Sequence, residues 1–161
     1  MIIELSPAQM LECQEEAVYR AESYVDATRR KNMKDGLSFE TVLRYNVDGC
    51  MGELACAAGL GYDWTGPDSP SAYDVGAFIE VRSTRYRTGK LIVKEAERDK
   101  RDRHTPYVLA IISGSAVRLA GWMSLEDVLD KGYHYWQKGQ KFIAVQQADL
   151  YDMEILRMED E

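Results

Sequence analysis

The sequence predicts an α/β protein with a central mixed β-sheet of four to five strands flanked by helices. The continuous apolar run Pro106–Ser113 is typical of a central strand that is covered on both faces. Apolar residues recur at helical spacing after Ser6 and Pro7. The stretch 48–58 is rich in small residues, which lets a helix backbone lie close against a sheet. Helices packed on buried strands define the α/β class.

Length, charge and cysteine content narrow the class of protein. At 161 residues the chain has the length of one domain, which we expect to span 1–161. The net charge of −7 argues against a purely electrostatic nucleic-acid binder. The three cysteines form no CxxC pair, so we expect buried thiols in a reducing compartment. The N-terminus lacks a basic leader, and no apolar run approaches about 18 residues, which predicts a cytoplasmic protein without a membrane partner.

Two helices are predicted in the first half of the chain. The first begins at Pro7, with Ser6 as its N-cap, and continues to about Lys34. The second spans 48–58 and ends at the glycine-rich segment 59–61. Glu53 is the only acidic residue of the second helix beyond its first position, and its neighbours are small or apolar. Its carboxylate therefore either points to water or has a function.

The strands are predicted to form two hairpins. The strand 77–84 is followed by a basic turn and by an antiparallel return strand, Leu91–Lys94. The charged segment 95–104 is a solvated loop or a short helix, and Pro106–Ser113 pairs with an antiparallel strand at 116–122. The other expected elements are a short strand or lead-in at 1–5, a short helix from Ser124, an aromatic loop at 132–139, an edge strand at 142–145 and a helical turn at 149–153.

The first of these strands carries the candidate site. Glu80 and Arg82 are two residues apart, so their side chains lie on one face of the strand. Asp74 is six residues before Glu80, which puts it on the same face if the strand is unbroken by Gly76. Such a group is costly when it is buried without partners. It is reasonable if the carboxylates share a divalent metal ion.

Each of these residues also has an ordinary structural interpretation. Glu80 and Arg82 can form a salt bridge on an exposed sheet surface. Asp74 can be a turn residue before Val75, and Glu53 can face solvent on its helix. On this interpretation the carboxylates are incidental to a structural α/β domain.

The order of the elements and three short motifs resemble the PD-(D/E)XK nuclease superfamily, and in particular its small phage and bacterial members. The motifs are Gly-Cys-Met-Gly-Glu-Leu-Ala at 49–55, Asp-Val-Gly at 74–76 and Glu-Val-Arg-Ser-Thr at 80–84. The resemblance covers about 6–123 as a nuclease-like core and leaves an aromatic C-terminal extension at 124–161. It implies a restriction-endonuclease-like core and a metal-dependent endo- or exonuclease that hydrolyses DNA.

The resemblance also assigns roles to individual residues. Asp74 and Glu80 would ligate Mg²⁺ or Mn²⁺, and Glu53 would join them from the helix. Arg82 stands where the family has lysine. A lysine can lose its proton and activate water, whereas arginine stays protonated and only orients or stabilises charge. Three possibilities follow: Arg82 suffices as a charge stabiliser, Lys94 or Lys90 replaces the lysine, or the protein is an inactive nuclease fold that binds nucleic acid or a partner protein.

A local excess of basic residues follows the candidate site in the sequence. This excess next to acidic residues suits DNA that passes a metal site. DNA is therefore the expected partner, with a homodimer or a partner protein as further possibilities, and a phage-encoded protein would act in the host cytoplasm. The predicted DNA contacts are Arg82, Arg85, Arg87, Lys90 and Lys94.

Overall fold

A computed structural model describes residues 1–30, 37–64, 66 and 73–158. Within these residues the protein is α/β, as predicted. The elements in chain order are β1 (Ile2–Glu4), α1 (Pro7–Arg30), α2 (Phe39–Leu60), β2 (Glu80–Thr84), β3 (Leu91–Lys94), β4 (Pro106–Ser113), β5 (Ala116–Ser124), α3 (Leu125–Lys131), β6 (Tyr133–Gln137), β7 (Gln140–Val145) and α4 (Met153–Met158). Short 3₁₀ turns lie at Glu95–Asp99 and Gln147–Asp149.

The central sheet has four strands in the order β1-β5-β4-β2. It is mixed, because β2 runs parallel to β4 while β4–β5 and β5–β1 are antiparallel. The prediction that β4 is a central strand covered on both faces is confirmed, since every residue of β4 before Ser113 is buried. Its antiparallel pairing with β5 is confirmed as well.

Strand β4 divides the protein into two apolar cores. Val108, Ala110 and Ile112 face the core that the central sheet shares with helices α1 and α2. Tyr107 and Leu109 face a second core, which a further sheet of three strands covers in the order β3-β7-β6. Because successive side chains of a strand point to opposite faces, β4 contacts the helical layer on one face and the second sheet on the other.

The predicted hairpin between 77–84 and Leu91–Lys94 is wrong. Strand β2 lies parallel to β4, with Glu80 opposite Tyr107, and β3 pairs with β7 in the second sheet. Leu91 and Val93 are buried whereas their neighbours on β3 are exposed, so the alternation correctly indicated a strand with one buried face. Alternation fixes the face of a strand, but it does not fix the partner.

The predictions for 132–145 also need correction. The segment expected as an aromatic loop contains strand β6, and the expected edge strand, β7, is the middle strand of the second sheet. A tight turn with positive φ at Lys138 (48°) and Gly139 (74°) joins them. Two consecutive residues with positive φ match the right-handed twist of a hairpin. Tyr135 stacks on Phe142 across it, with 5.7 Å between the ring centroids.

Helix α2 begins nine residues earlier than predicted. Ser38 is its N-cap, and the Ser38 hydroxyl accepts a hydrogen bond from the Thr41 backbone N–H at 3.2 Å. Its end is as predicted, at Gly61 with φ of +83°. The predicted start of α1 at Pro7 and the short helix capped by Ser124 are confirmed. The predicted end of α1 near Lys34 lies outside the described residues.

The other short elements are close to expectation. The segment 1–5 contains a strand, and the charged segment 95–104 contains a 3₁₀ turn instead of a loop throughout. The last helix, α4, begins at Met153, where the predicted helical turn at 149–153 ends. Among the described residues, no helix combines the length and apolarity that a membrane crossing requires.

Candidate functional site

A tight turn brings Asp74 to the start of strand β2. The backbone N–H of Ile79 donates to the carbonyl of Val75 at 3.1 Å, and Gly76 has φ of +58°. Regular strand pairing therefore begins only at Glu80, and the prediction of a strand over 77–84 is too long by three residues. A left-handed residue is incompatible with an extended strand. Asp74 thus reaches the site through a turn and not along an unbroken strand.

The turn places Asp74 beside Glu80 and Arg82. The Arg82 guanidinium Nη1 lies 3.1 Å from Glu80 Oε2 and 3.5 Å from Asp74 Oδ2, so one cation bridges the two carboxylates. Asp74 Oδ2 also accepts a hydrogen bond from the Val81 backbone N–H at 2.8 Å. The prediction that Glu80 and Arg82 lie on one face of the strand is therefore confirmed, whereas Asp74 joins them from a turn and not from the strand.

Two further charged residues complete what we call the carboxylate cluster. Arg101 Nε lies 2.7 Å from Glu80 Oε1, so an arginine contacts each oxygen of Glu80. Glu97 lies 4.0 Å from Arg82 Nη2 and accepts a hydrogen bond from the buried Tyr107 hydroxyl at 3.2 Å. The cluster consists of Asp74, Glu80, Arg82, Glu97 and Arg101.

Burial controls the protonation of Glu80. The residue is 3 % exposed. Desolvation raises the pKa of the Glu80 carboxyl, and the negative charge of Asp74 raises it further. The positive charges of Arg82 and Arg101 oppose this rise in pKa. The two arginines therefore favour a charged Glu80 in a position where burial alone favours the neutral acid.

Glu53 lies in a neighbouring network and is already paired. It is 6 % exposed on helix α2. Arg20 of helix α1 donates to its two oxygens, from Nη1 at 2.8 Å and from Nη2 at 2.9 Å. The Trp64 indole N–H donates a third, longer hydrogen bond of 3.3 Å. The solvent-facing interpretation of Glu53 is therefore wrong, because its carboxylate connects the two helices.

Burial and Arg20 have opposite effects on the pKa of the Glu53 carboxyl. Burial raises the pKa of its carboxyl, while the hydrogen bonds and charge of Arg20 lower it. The negative charge of Asp74 also raises the pKa of the Glu53 carboxyl. Arg20 in addition pairs with Glu16, four residues earlier on the same helix, at 2.5 Å.

The donor chemistry of the cluster suits a hard divalent cation, but with two protein ligands and not three. Asp74 and Glu80 are adjacent and supply only oxygen donors, and Mg²⁺ commonly binds one or two carboxylates while it keeps several waters. Glu53 belongs to the neighbouring Arg20 network and is not grouped with Asp74 and Glu80. Within the described part of the chain, no three Asp, Glu, His or Cys residues are grouped closely enough to form a metal site by themselves.

The basic residues predicted to contact DNA do not form one surface. Arg82 and Arg85 line a groove between α2 and β2. Arg87 lines a different cavity with Arg118. Lys90 and Lys94 line two further cavities. Because the predicted hairpin does not form, these residues are divided between the central sheet and the second sheet.

Lys94 does not stand opposite Arg82. It is exposed at the end of β3 and pairs in register with Phe142 of the second sheet. Its predicted role as a replacement for the family lysine depended on a return strand beside β2, and that strand is absent among the described residues.

The groove between α2 and β2 contains residues that the sequence reasoning missed. Its volume is about 540 Å³, and Arg44, Tyr45 and Asp48 of α2 line it together with the end of β2. Asp48 accepts hydrogen bonds from Arg85 Nε and Nη2 at 2.8 to 3.0 Å. The predicted helix began at residue 48 and therefore left out Arg44 and Tyr45. A helix predicted to start after Ser38 would have placed Arg44 and Asp48 on one face, because residues four apart lie on the same face of a helix.

No protein-family model matches the chain, and neither a curated protein nor a solved structure is significantly similar to it. Function therefore has to be argued from the geometry of the cluster and of the groove beside it.

Proposed function

We propose that this chain is a metal-dependent endo- or exonuclease that hydrolyses DNA phosphodiester bonds at the carboxylate cluster. The observation that carries the proposal is the bridging of Asp74 and Glu80 by Arg82, 3.5 and 3.1 Å away, at the edge of an arginine-lined groove. Two oxygen ligands and a permanent cation are the groups that phosphodiester hydrolysis requires in one place.

Each residue has a distinct role in this proposal. Asp74 and Glu80 would hold Mg²⁺ or Mn²⁺, which when bound would supply an activated water and neutralise charge on the phosphate. Arg82 stays protonated and so cannot act as a general base. Its guanidinium would instead bind the phosphoryl oxygens and stabilise the negative charge that develops on them.

Arg101 would position Glu80. Its Nε contacts Glu80 Oε1 at 2.7 Å, while Arg82 contacts the other oxygen. The guanidinium of Arg101 also lies 4.7 Å from the centroid of the Tyr73 ring, which helps to fix its place. Glu80 would thereby be oriented before substrate arrives, which is the preorganisation that catalysis by electrostatics needs.

A second function has a specific observation in its favour. Arginine pairs with both Glu53 and the cluster carboxylates, which suits an inactive nuclease fold that binds nucleic acid or a partner protein. Such a protein would keep the groove but would show no metal-dependent cleavage.

Cleavage of plasmid, linear, branched and single-stranded DNA with Mn²⁺ separates the two functions. We expect cutting by wild type and its loss in Asp74→Asn and Glu80→Gln, with folding checked by circular dichroism. Glu95→Gln is the matched control, because Glu95 forms surface ion pairs with Lys141 and Arg98 at 3.2 and 3.5 Å. It should retain activity.

Two results would decide against catalysis by this cluster. Wild-type protein that cuts no DNA while Arg82→Lys gains activity would identify a former nuclease retained for binding. Calorimetry that detects no Mn²⁺ binding to wild type, together with no cleavage by any variant, would overturn the site assignment itself.

A further inference from the structure

The groove between α2 and β2 differs in charge from the rest of the protein. Its charged lining residues are Arg44, Arg82, Arg85 and Asp48, an excess of two positive charges in a chain of net charge −7. The single carboxylate, Asp48, is 8 % exposed and is bound by the fork of Arg85. The groove therefore presents guanidinium groups, and little negative charge, to a ligand.

The pairing with Asp48 makes Arg85 a fixed donor. A guanidinium carries five N–H donors. Arg85 uses Nε and Nη2 for Asp48, which leaves the Nη1 donors for another acceptor. An arginine held by a carboxylate loses less side-chain freedom when it binds a phosphate, because its position is already determined.

Two exposed tyrosines flank these arginines. Tyr86 is 79 % exposed and Tyr45 is 56 % exposed, and both line the groove. The guanidinium of Arg44 lies 5.4 Å from the centroid of the Tyr45 ring. Phosphate-binding cations alternating with exposed rings form the arrangement that binds single strands, in which unpaired bases stack on aromatic side chains. Bases within a duplex are already stacked on one another and are not available to such rings.

The floor of the groove is open. A Cβ added to Gly49 would meet no atom within 4 Å. Arg82 lines the groove and also belongs to the carboxylate cluster. A strand bound along the arginines would therefore have a phosphate beside the cluster.

We propose that the groove formed by Arg44, Tyr45, Arg85 and Tyr86 binds single-stranded nucleic acid and delivers it to the carboxylate cluster. The inference rests on the proposed function only for the delivery step. Binding itself requires no metal, so it can be measured without cleavage.

Fluorescence anisotropy tests the binding step, with a labelled 12-nucleotide oligo(dT) and a duplex of equal length in EDTA and about 50 mM salt. We expect wild type to bind the single strand at least tenfold more tightly than the duplex. Tyr45→Ala and Tyr86→Ala should each weaken binding of the single strand by roughly 5- to 160-fold, the range that loss of one stacked base produces. Surface substitutions of this kind seldom affect folding.

Three further variants complete the design. Tyr133→Ala is the matched control, because Tyr133 is 73 % exposed on β6 and does not line the groove, so its affinity should stay within twofold of wild type. Arg44→Gln should weaken binding and lower the salt dependence, the slope of log K against log salt, by about 0.7 for one lost phosphate contact. Gly49→Leu should block binding by filling the groove.

The outcomes separate this inference from the nuclease proposal. Equal binding of duplex and single strand, no detectable binding of either, or equal effects of Tyr45→Ala and Tyr133→Ala would overturn the groove assignment even if the protein cuts DNA with Mn²⁺. Tyrosine-dependent binding of the single strand without cleavage would confirm the groove and overturn the nuclease.

Discussion

The pairing of Arg20 with Glu53 gives the sharpest test of the packing between the first two helices. Replacing Arg20 by Met keeps the aliphatic part of the side chain but removes the guanidinium. Among the described residues, it leaves the 6 % exposed Glu53 with a single hydrogen bond, the one of 3.3 Å from Trp64. Removing one partner of a buried ion pair costs about 3 kcal/mol. In a protein of this size that loss corresponds to a fall in Tm of roughly 6–12 °C.

The loss of stability should depend on pH in a defined direction. Burial already raises the pKa of Glu53 above 4.5, and Arg20 opposes that rise, so Arg20→Met raises the pKa of Glu53 further. A group with a raised pKa in the folded state stabilises the fold below its unfolded pKa, and this contribution is lost as the pH rises through the folded pKa. The cost of Arg20→Met should therefore be largest at pH 8 and should shrink as the pH falls toward about 4.5.

Urea unfolding followed by circular dichroism at pH 8, 7, 6 and 5 measures both effects. Combining Arg20→Met with Glu53→Gln should restore most of the lost free energy, with a coupling of about 2 kcal/mol, because no buried charge is left unpaired. Combining Arg20→Met with Glu16→Gln measures the coupling of Arg20 to Glu16, the second carboxylate that Arg20 contacts. We expect this coupling to be smaller than that with Glu53.

The matched control is Arg85→Met. The fork of Arg85 on Asp48 has similar distances, but the Arg85 side chain is 57 % exposed where that of Arg20 is 28 % exposed. Its loss should cost less than the loss of Arg20, because solvent screens a pair whose cation is more than half exposed. A cost for Arg20→Met that is independent of pH and unchanged by Glu53→Gln would refute the buried-pair interpretation.

Two further predictions concern helix α2 and the thiols. A Cβ at Gly52 would overlap Ser83 Oγ and lie 3.2 Å from Ala110 Cβ, so Gly52→Ala should destabilise the protein by about 1–3 kcal/mol. In Gly49→Ala, on the same helix, the added Cβ meets nothing within 4 Å, so this variant should stabilise the protein by up to about 1 kcal/mol. Chemical denaturation measures the free energy of unfolding of both variants. A change in the same direction for both would contradict the close packing of α2 on the sheet. Burial raises the pKa of the Cys13 thiol to about 11 and that of the Cys56 thiol to about 12, and it raises the pKa of the Cys50 thiol as well. Disulfide-exchange reagents at pH 8 should therefore modify these thiols only after the protein unfolds. A thiol that reacts quickly in the native protein would be evidence against this core.

Local patterns in the sequence predicted what local geometry determines. The apolar run of β4 indicated a strand buried on both faces, and the structure confirms it. The spacing of Glu80 and Arg82 correctly placed both side chains on one face, where they lie 3.1 Å apart. Both predictions depend only on the period of two along an extended chain.

Partners that are distant in sequence were not predicted. Arg20 and Glu53 are 33 positions apart, and neither residue carries a local sign of the other. The same holds for β3, whose partner β7 lies nearly 50 residues downstream, at Lys94 opposite Phe142. The hydrophobic pattern of a strand or helix indicates which of its faces is buried, but it does not indicate which other element covers that face.

Charge balance relates the two parts of the proposed site. Arg20 with its two carboxylate partners, taken together with the carboxylate cluster, contributes five carboxylates and three guanidinium groups. This is an excess of two negative charges when all are ionised. The carboxylates are Glu16, Glu53, Asp74, Glu80 and Glu97. Such a group repels phosphate by itself, and one divalent cation would offset the excess without displacing Arg20 from Glu53. The groove has the opposite imbalance, with two positive charges in excess. Under the proposed function, a phosphodiester chain would be attracted along the groove and would approach the carboxylates only where a cation is bound. A protein of net charge −7 would in this way combine nucleic-acid binding with an acidic centre.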